Sequence, residues 1–149
     1  MGVLLDTSAV IGWLERRDPG VIDTIEADPN VPAISAVTLG ELHRGVRRAP
    51  DDRVRTIRRL HLDFVTDRLD IVPIDRDSAT SWAMLAERFP RRTGHNDVWI
   101  AVAAATTRRQ LVTQDEQLAT ALTDARTSTD PSTALARSVP DVIHCPIGT

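Results

Sequence analysis

The sequence predicts an open α/β sandwich, a mostly parallel sheet with helices on both faces. Three observations lead there. Short apolar runs of strand length recur along the chain, each is followed by a stretch whose apolar residues have helical spacing, and turn-forming residues separate the two. The 149 residues suit one domain that buries its core without disulfides or structural metal. Residues 1–149 are therefore expected to form a single domain.

The elements follow in order. Val3-Leu4-Leu5 is a strand ending at Asp6, and Thr7 or Ser8 can cap a helix carrying Val10, Ile11 and Leu14. Pro19-Gly20 opens a second amphipathic segment with Val21, Ile22 and Ile25, which Asp28-Pro29-Asn30 closes before a strand from Val31 to Ser35. Val37, Leu42 and Val46 suit a helix from Ala36 to about Arg48. Ala49-Pro50-Asp51 stops it and caps the next, which carries Val54, Ile57, Leu60, Phe64 and Val65. A third apolar run, 71–74, precedes a helix started by Asp77 or Ser78, with Trp82, Leu85 and Phe89. After a polar loop from Arg91 to His95, Asn96 can cap a helix through Val98 and Ile100 to Arg108. Leu111-Val112-Thr113 is the fourth strand. The helix after Asp115 is expected to fade near Thr123 into a surface loop rich in turn formers, and Asp141 to Cys145 reads as a final edge strand.

Composition narrows the function. All eighteen basic side chains counted as Lys+Arg are arginines. The absence of lysine excludes a Walker-type phosphate lysine, a Schiff base and the lysine of a receiver-domain acidic pocket. The single cysteine, Cys145, excludes an internal disulfide and any zinc site with two thiolates, and it reads as a buried inert thiol. No apolar run approaches the roughly 18 residues needed to span a bilayer, and no secretory signal opens the chain. No membrane association and a cytoplasmic location are expected. The net charge of −3 does not advertise a nucleic-acid binder, yet arginine is concentrated between Arg44 and Arg59, where local charge matters more than the total.

The residues that carry chemistry are carboxylates. In open α/β sheets the ligand crevice lies beyond the carboxyl ends of the strands, and Asp6 and Asp115 both follow strands directly. Asp97 lies at a helix start, and Glu41 joins the set from mid-helix. Two such charges about 4 Å apart repel by about 4 kcal/mol at an effective dielectric near 20, a cost that a divalent cation reverses. Oxygen-only donors favour Mg²⁺, with Mn²⁺ as substitute, over zinc. Such an ion activates water and stabilises phosphate charge, which suits phosphodiester hydrolysis.

In these motifs the chain resembles the PIN-domain ribonucleases, and particularly the VapC toxins of bacterial toxin–antitoxin pairs. Leu4-Leu5-Asp6-Thr7-Ser8 looks like the family's opening, Glu41-Leu42 with Gly45 its second acidic motif, Asn96-Asp97 with Ile100-Ala101 its third, and Thr113-Gln114-Asp115 its fourth. The resemblance runs across nearly the whole chain and implies a PIN-like three-layer α/β/α sandwich. It implies Asp6 and Asp97 as principal metal ligands, Glu41 and Asp115 as direct or water-mediated ones, and Thr7, Thr113 and Asn96 as supporting residues. It further implies an Mg²⁺-dependent endoribonuclease with an RNA substrate, a cognate VapB-type antitoxin and homodimer formation. The segment from Leu122 to Val139 is longer than the family's usual connection to the last strand, so an extended surface loop or insertion is expected there.

Each residue has a plainer reading. Asp6 alone would be a helix cap, and Glu41 alone a solvated helix residue, although Val37, Glu41, Arg44 and Arg48 share one helical stripe. Arg44, Arg48, Arg91 and Arg92 are candidate contacts for RNA or antitoxin, or ordinary surface charge. His95 adjoins the proposed site, but the metal mechanism needs no histidine. Trp13, Trp82 and Trp99 read as core packing. Asp75 and Asp77 read as turn and cap, and Glu116 is a rival to Asp115. An aspartyl phosphatase would need a second aspartate where Ser8 stands. A PIN nuclease for RNA maturation or repair without an antitoxin, and a noncatalytic acidic binding module, are the alternative functions.

Overall fold

The computed structural model describes residues 2–90 and 93–148. Five short strands, β1 (Val3–Leu5), β2 (Ala33–Ser35), β3 (Asp70–Val72), β4 (Gln110–Thr113) and β5 (Val142–His144), form one sheet in the order β3-β2-β1-β4-β5. Every pairing is parallel. Seven helices connect them: α1 (Thr7–Leu14), α2 (Pro19–Glu26), α3 (Ala36–Arg47), α4 (Asp52–Arg68), α5 (Arg76–Ala86), α6 (His95–Thr106) and α7 (Glu116–Thr127). The α/β sandwich expected from the sequence is thus observed, with a sheet that is parallel throughout the described residues.

The strands alternate their side chains between two cores, as the period of two requires. Leu4, Ala33 and Leu111 pack on one face with Leu85, Val98, Val102 and Leu122. Val3, Leu5, Ile34 and Val112 pack on the other with Val10, Val21, Ile25 and Val65. Helix α6 contacts β1, β2 and β4, and its run from Ile100 to Ala104 is buried throughout. The small alanines let that helix lie close to its neighbours. Among the described residues, no helix is long and apolar enough to cross a membrane.

Several boundaries differ from the sequence reading for local reasons. Strand β2 starts at Ala33, after Val31 and the N–H-lacking Pro32. Helix α5 is capped by Asp75, not by Asp77 or Ser78, in a capping box with Ser78, and it ends before Phe89. Asn96 does not cap α6. The N-cap is Gly94, with no side-chain cap bond, and Asn96 lies exposed in the first turn. Helix α7 does not fade at Thr123 but continues to Thr127, because Leu122 and Ala125 still face the core. Residues 128–141 then include a 3-10 turn (Ala136–Ser138) and bury Thr129 and Val139. Arg91 and Arg92 lie outside the described residues.

The two-core arrangement predicts unequal costs of truncation. Leu4 is 0% exposed and Leu60 is 63% exposed. Leu4→Ala should destabilise the fold by about 3 kcal/mol, whereas Leu60→Ala should stay within about 0.5 kcal/mol. Urea unfolding midpoints of the two variants check this, and equal midpoints would contradict the assigned core.

Candidate active site

The strand order reverses at β1: the chain runs outward through β2 and β3, then returns to place β4 on the other side of β1. Such a switch point is where open α/β sheets place their ligand crevice, here beyond the carboxyl ends of β1 and β4. Asp6 leaves β1 there and Asp115 follows β4. Both are also N-caps, of α1 and α7 respectively, and Asp97 sits in the first turn of α6. Three helix N-termini therefore bring partial positive charge to carboxylates.

Asp6 is 3% exposed and fully engaged. Its Oδ1 accepts from the Ala9 amide (2.8 Å) and the Ser8 hydroxyl (2.7 Å), and its Oδ2 accepts from the Thr113 hydroxyl (2.5 Å). Thr113, itself buried, accepts from the Asp115 amide at 2.9 Å. One hydroxyl thus ties the end of β1 to the end of β4. Asp115 Oδ1 caps α7 through the Gln117 and Leu118 amides. Across the crevice the Thr7 hydroxyl donates to Glu41 Oε1 (2.9 Å) and lies 3.3 Å from the hydroxyl of buried Thr38. The Asp97 amide donates to the Gly94 carbonyl at 3.1 Å, whereas its carboxylate takes no side-chain hydrogen bond or ion pair among the described residues.

Electrostatics show that these groups share one field. The Asp97 carboxyl is pushed up to about 6 by its half-burial and then by the charges of Asp115, Asp6 and Glu41. Burial likewise raises Asp6, against the pull of its hydrogen bonds from Thr113, Ser8 and Ala9, with Asp115 adding to the rise. Of the two rivals, Asp115 and not the exposed Glu116 appears among the charges acting on Asp97. Among the described residues, no arginine forms an ion pair with any of the four.

The donor chemistry fits a hard divalent cation. All four groups are carboxylates, and none of them forms an ion pair among the described residues. Among those residues, no three side chains form a ready-made metal cage. A Mg²⁺ ion needs only one or two carboxylates, because it keeps several waters and takes substrate phosphate oxygens as further ligands.

Of the other candidates, Arg44 and Arg48 are exposed at the end of α3, without an ion pair among the described residues. Trp82 stacks on Trp99 with centroids 5.1 Å apart, and His95 meets the Trp82 edge at 5.7 Å. These tryptophans are packing groups between α5 and α6. Ser8 and Thr38 support the carboxylates but were not singled out by sequence reasoning. For Ser8 the available signal was its place two residues after an N-cap aspartate, where a hydroxyl reaches back to the carboxylate. An apolar groove between α1, α3 and α4, walled by Val10, Leu14, Leu42 and Leu62, includes Thr7 and Glu41 in its lining.

The PIN domain family model matches residues 3–121. Ribonuclease VapC5 of Mycobacterium tuberculosis is 36% identical over 121 residues, covering 78% of this chain and 84% of that protein. Ribonuclease VapC4 of the same organism is 32% identical over 124 residues, covering 78% and 88%. The crystal structure of VapBC-5, a toxin–antitoxin system of M. tuberculosis, superimposes with a TM-score of 0.69 at 29% identity, over 97% of this chain and 98% of that one. VapBC-1 from nontypeable Haemophilus influenzae shares the fold alone, with a TM-score of 0.72 at 17% identity over 97% and 98% of the chains. With a family model matching most of its length and two relatives above 30% identity, this chain belongs to the PIN-domain family, as a member of the VapC type.

Proposed function

We propose that the chain, as one PIN domain, is an Mg²⁺-dependent endoribonuclease, with Mn²⁺ as a substitute ion. We propose further that it acts in the cytoplasm as the toxin of a toxin–antitoxin pair. The observation that carries this reading is the cluster itself: four carboxylates in one field at the sheet's switch point, with Asp97 raised by its half-burial and then by all three others. PIN-domain ribonucleases generally depend on a divalent metal. Two relatives are named ribonucleases, and the structural relatives include VapBC complexes.

Asp6 and Asp97 are the principal ligands in this reading, with Glu41 and Asp115 binding directly or through water. A bound ion would activate water for in-line attack on phosphorus and stabilise charge on the phosphate and leaving oxygen. The chain's own groups prepare the site. Thr113 and Ser8 hold both oxygens of Asp6, and Thr7 orients Glu41. Asn96, exposed beside Asp97, is a supporting donor. Arg44 and Arg48 steer phosphate toward Glu41, and Arg91 and Arg92 are the other candidate contacts for RNA or antitoxin. A VapB-type antitoxin seated in the apolar groove beside Thr7 and Glu41 would cover the site, and a homodimer would set two such sites side by side.

Two outcomes test this. Purified protein should cleave RNA with Mg²⁺ or Mn²⁺, and Asp6→Asn and Asp97→Asn should each abolish cleavage while keeping a cooperative thermal transition. Undiminished cleavage by both variants would overturn the ligand assignment.

The second outcome concerns stability. Asp97 binds its proton more tightly folded than unfolded, so its contribution to stability is complete below pH 3.8 and is lost as pH rises through about 6. A cation bound to the ionised site should restore what is lost. Thermal scans with and without Mg²⁺ should therefore show a larger upward shift at pH 7.5 than at pH 5, and Asp97→Asn should remove that difference. A shift independent of pH would contradict cation binding at Asp97.

A further inference from the structure

Beside the carboxylates lies a second polar cluster that the ribonuclease reading leaves without a role. Gln114, between Thr113 and Asp115, is buried. Its side-chain Nε2 donates to Asp18 Oδ2 at 2.8 Å, and its Oε1 accepts from the Arg16 guanidinium. Its backbone amide donates to the Ser8 hydroxyl at 2.9 Å, and Ser8 in turn donates to Asp6. Asp18, also buried, takes a further bond from the Gly148 amide at 3.3 Å and lies 3.5 Å from Arg16 Nε. The Gln114 bond is the first cause holding the Asp18 carboxyl below its ordinary range, so Asp18 is an acceptor here.

The helix next to this amide is shaped to admit it. A methyl group at Gly12, in the middle of α1, would overlap the Gln114 side-chain oxygen. Glycine is unfavourable inside a helix, so α1 gives up helical propensity where the glutamine enters. The turn from β4 to α7 is therefore held from both sides, by Thr113 toward Asp6 and by Gln114 toward Asp18.

We infer that Gln114 is a positioning residue, clamped by Gly12, Arg16 and Asp18, that fixes the β4–α7 turn so that Asp115 and, through Ser8, Asp6 face Asp97. The inference rests on the proposed ribonuclease site. Gln114 lies one residue from Asp115, with its side chain directed toward Asp18, so it acts through its neighbours. Such outer partners of metal ligands set the ligands' orientation, and their loss falls on metal affinity and turnover.

An exchange of donor and acceptor tests the clamp. Gln114→Glu sets two carboxylates against each other, and Asp18→Asn sets one amide N–H against another N–H. The variant carrying both substitutions restores one donor facing one acceptor and keeps a carboxylate for Arg16. We expect Gln114→Glu to lower kcat for RNA cleavage and to weaken Mn²⁺ binding, read from the electron paramagnetic resonance of free Mn²⁺, each by about tenfold. KM should change by less than about twofold. The exchange variant should recover most of both losses, which a general packing role for Gln114 would not produce.

Wild-type kcat and Mn²⁺ affinity in Gln114→Glu would overturn the inference. So would an exchange variant that is folded by circular dichroism yet as impaired as Gln114→Glu. If the wild-type protein binds Mn²⁺ but cleaves no RNA, the ribonuclease reading fails, and Mn²⁺ affinities across the same variants still decide the role of Gln114. If it binds no Mn²⁺, there is no site to position and both fall.

Discussion

Negative charge gathered at one edge of a parallel sheet is the constraint around which this molecule is organised. Carboxylates repel one another more strongly as they leave water, so the fold must hold them together while hydrogen bonding them individually. It does so with backbone geometry. Asp6 and Asp115 are tethered as N-caps and Asp97 rides in a first turn, so that α1, α6 and α7 all aim their positive ends at the crevice. Hydroxyls do the remaining work: Thr113 and Ser8 on Asp6, and Thr7 on Glu41. Asp97 is left least supported, and half-burial, followed by the charges of Asp115, Asp6 and Glu41, pushes its carboxyl up to about 6.

Asp6 caps α1, and that role is compatible with the proposed one as a metal ligand. A cap uses one lone pair of one oxygen, and a carboxylate has about four acceptor positions. Capping fixes the side chain's rotamer, and a rotamer fixed by the backbone is what a preorganised site requires. The same holds for Asp115, whose Oδ1 alone serves α7.

Much of the fold was legible because short buried strands and amphipathic helices write their periods into the sequence. Asp6 and Asp115 could be located at strand ends from local pattern alone, and the motif order tied Glu41 and Asp97 to them. What could not be read locally depends on tertiary partners. Asn96 has good capping chemistry, but the chain enters α6 two residues earlier, at Gly94. The polar stretch after Thr123 is poor in apolar residues, yet Ala125 finds the core and prolongs α7. Gln114 looked like a spacer inside a motif, because its significance lies in Gly12 and Asp18, about a hundred residues away in sequence. A buried amide becomes informative only when its partners are known.

The last strand lies beyond the span matched by the family model, yet it completes the sheet. Its end is bonded to β4 through the Cys145 amide and the Thr113 carbonyl at 2.9 Å, and the Cys145 thiol is buried beside Thr24 and the Gly20 carbonyl. Being the sole thiol in the chain, it is a chemical clock built into the sheet edge. An alkylating reagent reaches it only when β5 peels away, so the modification rate measures the free energy of that local opening separately from global unfolding. Because the strand is anchored at Thr113, the same clock reports how firmly the floor of the acidic crevice is held.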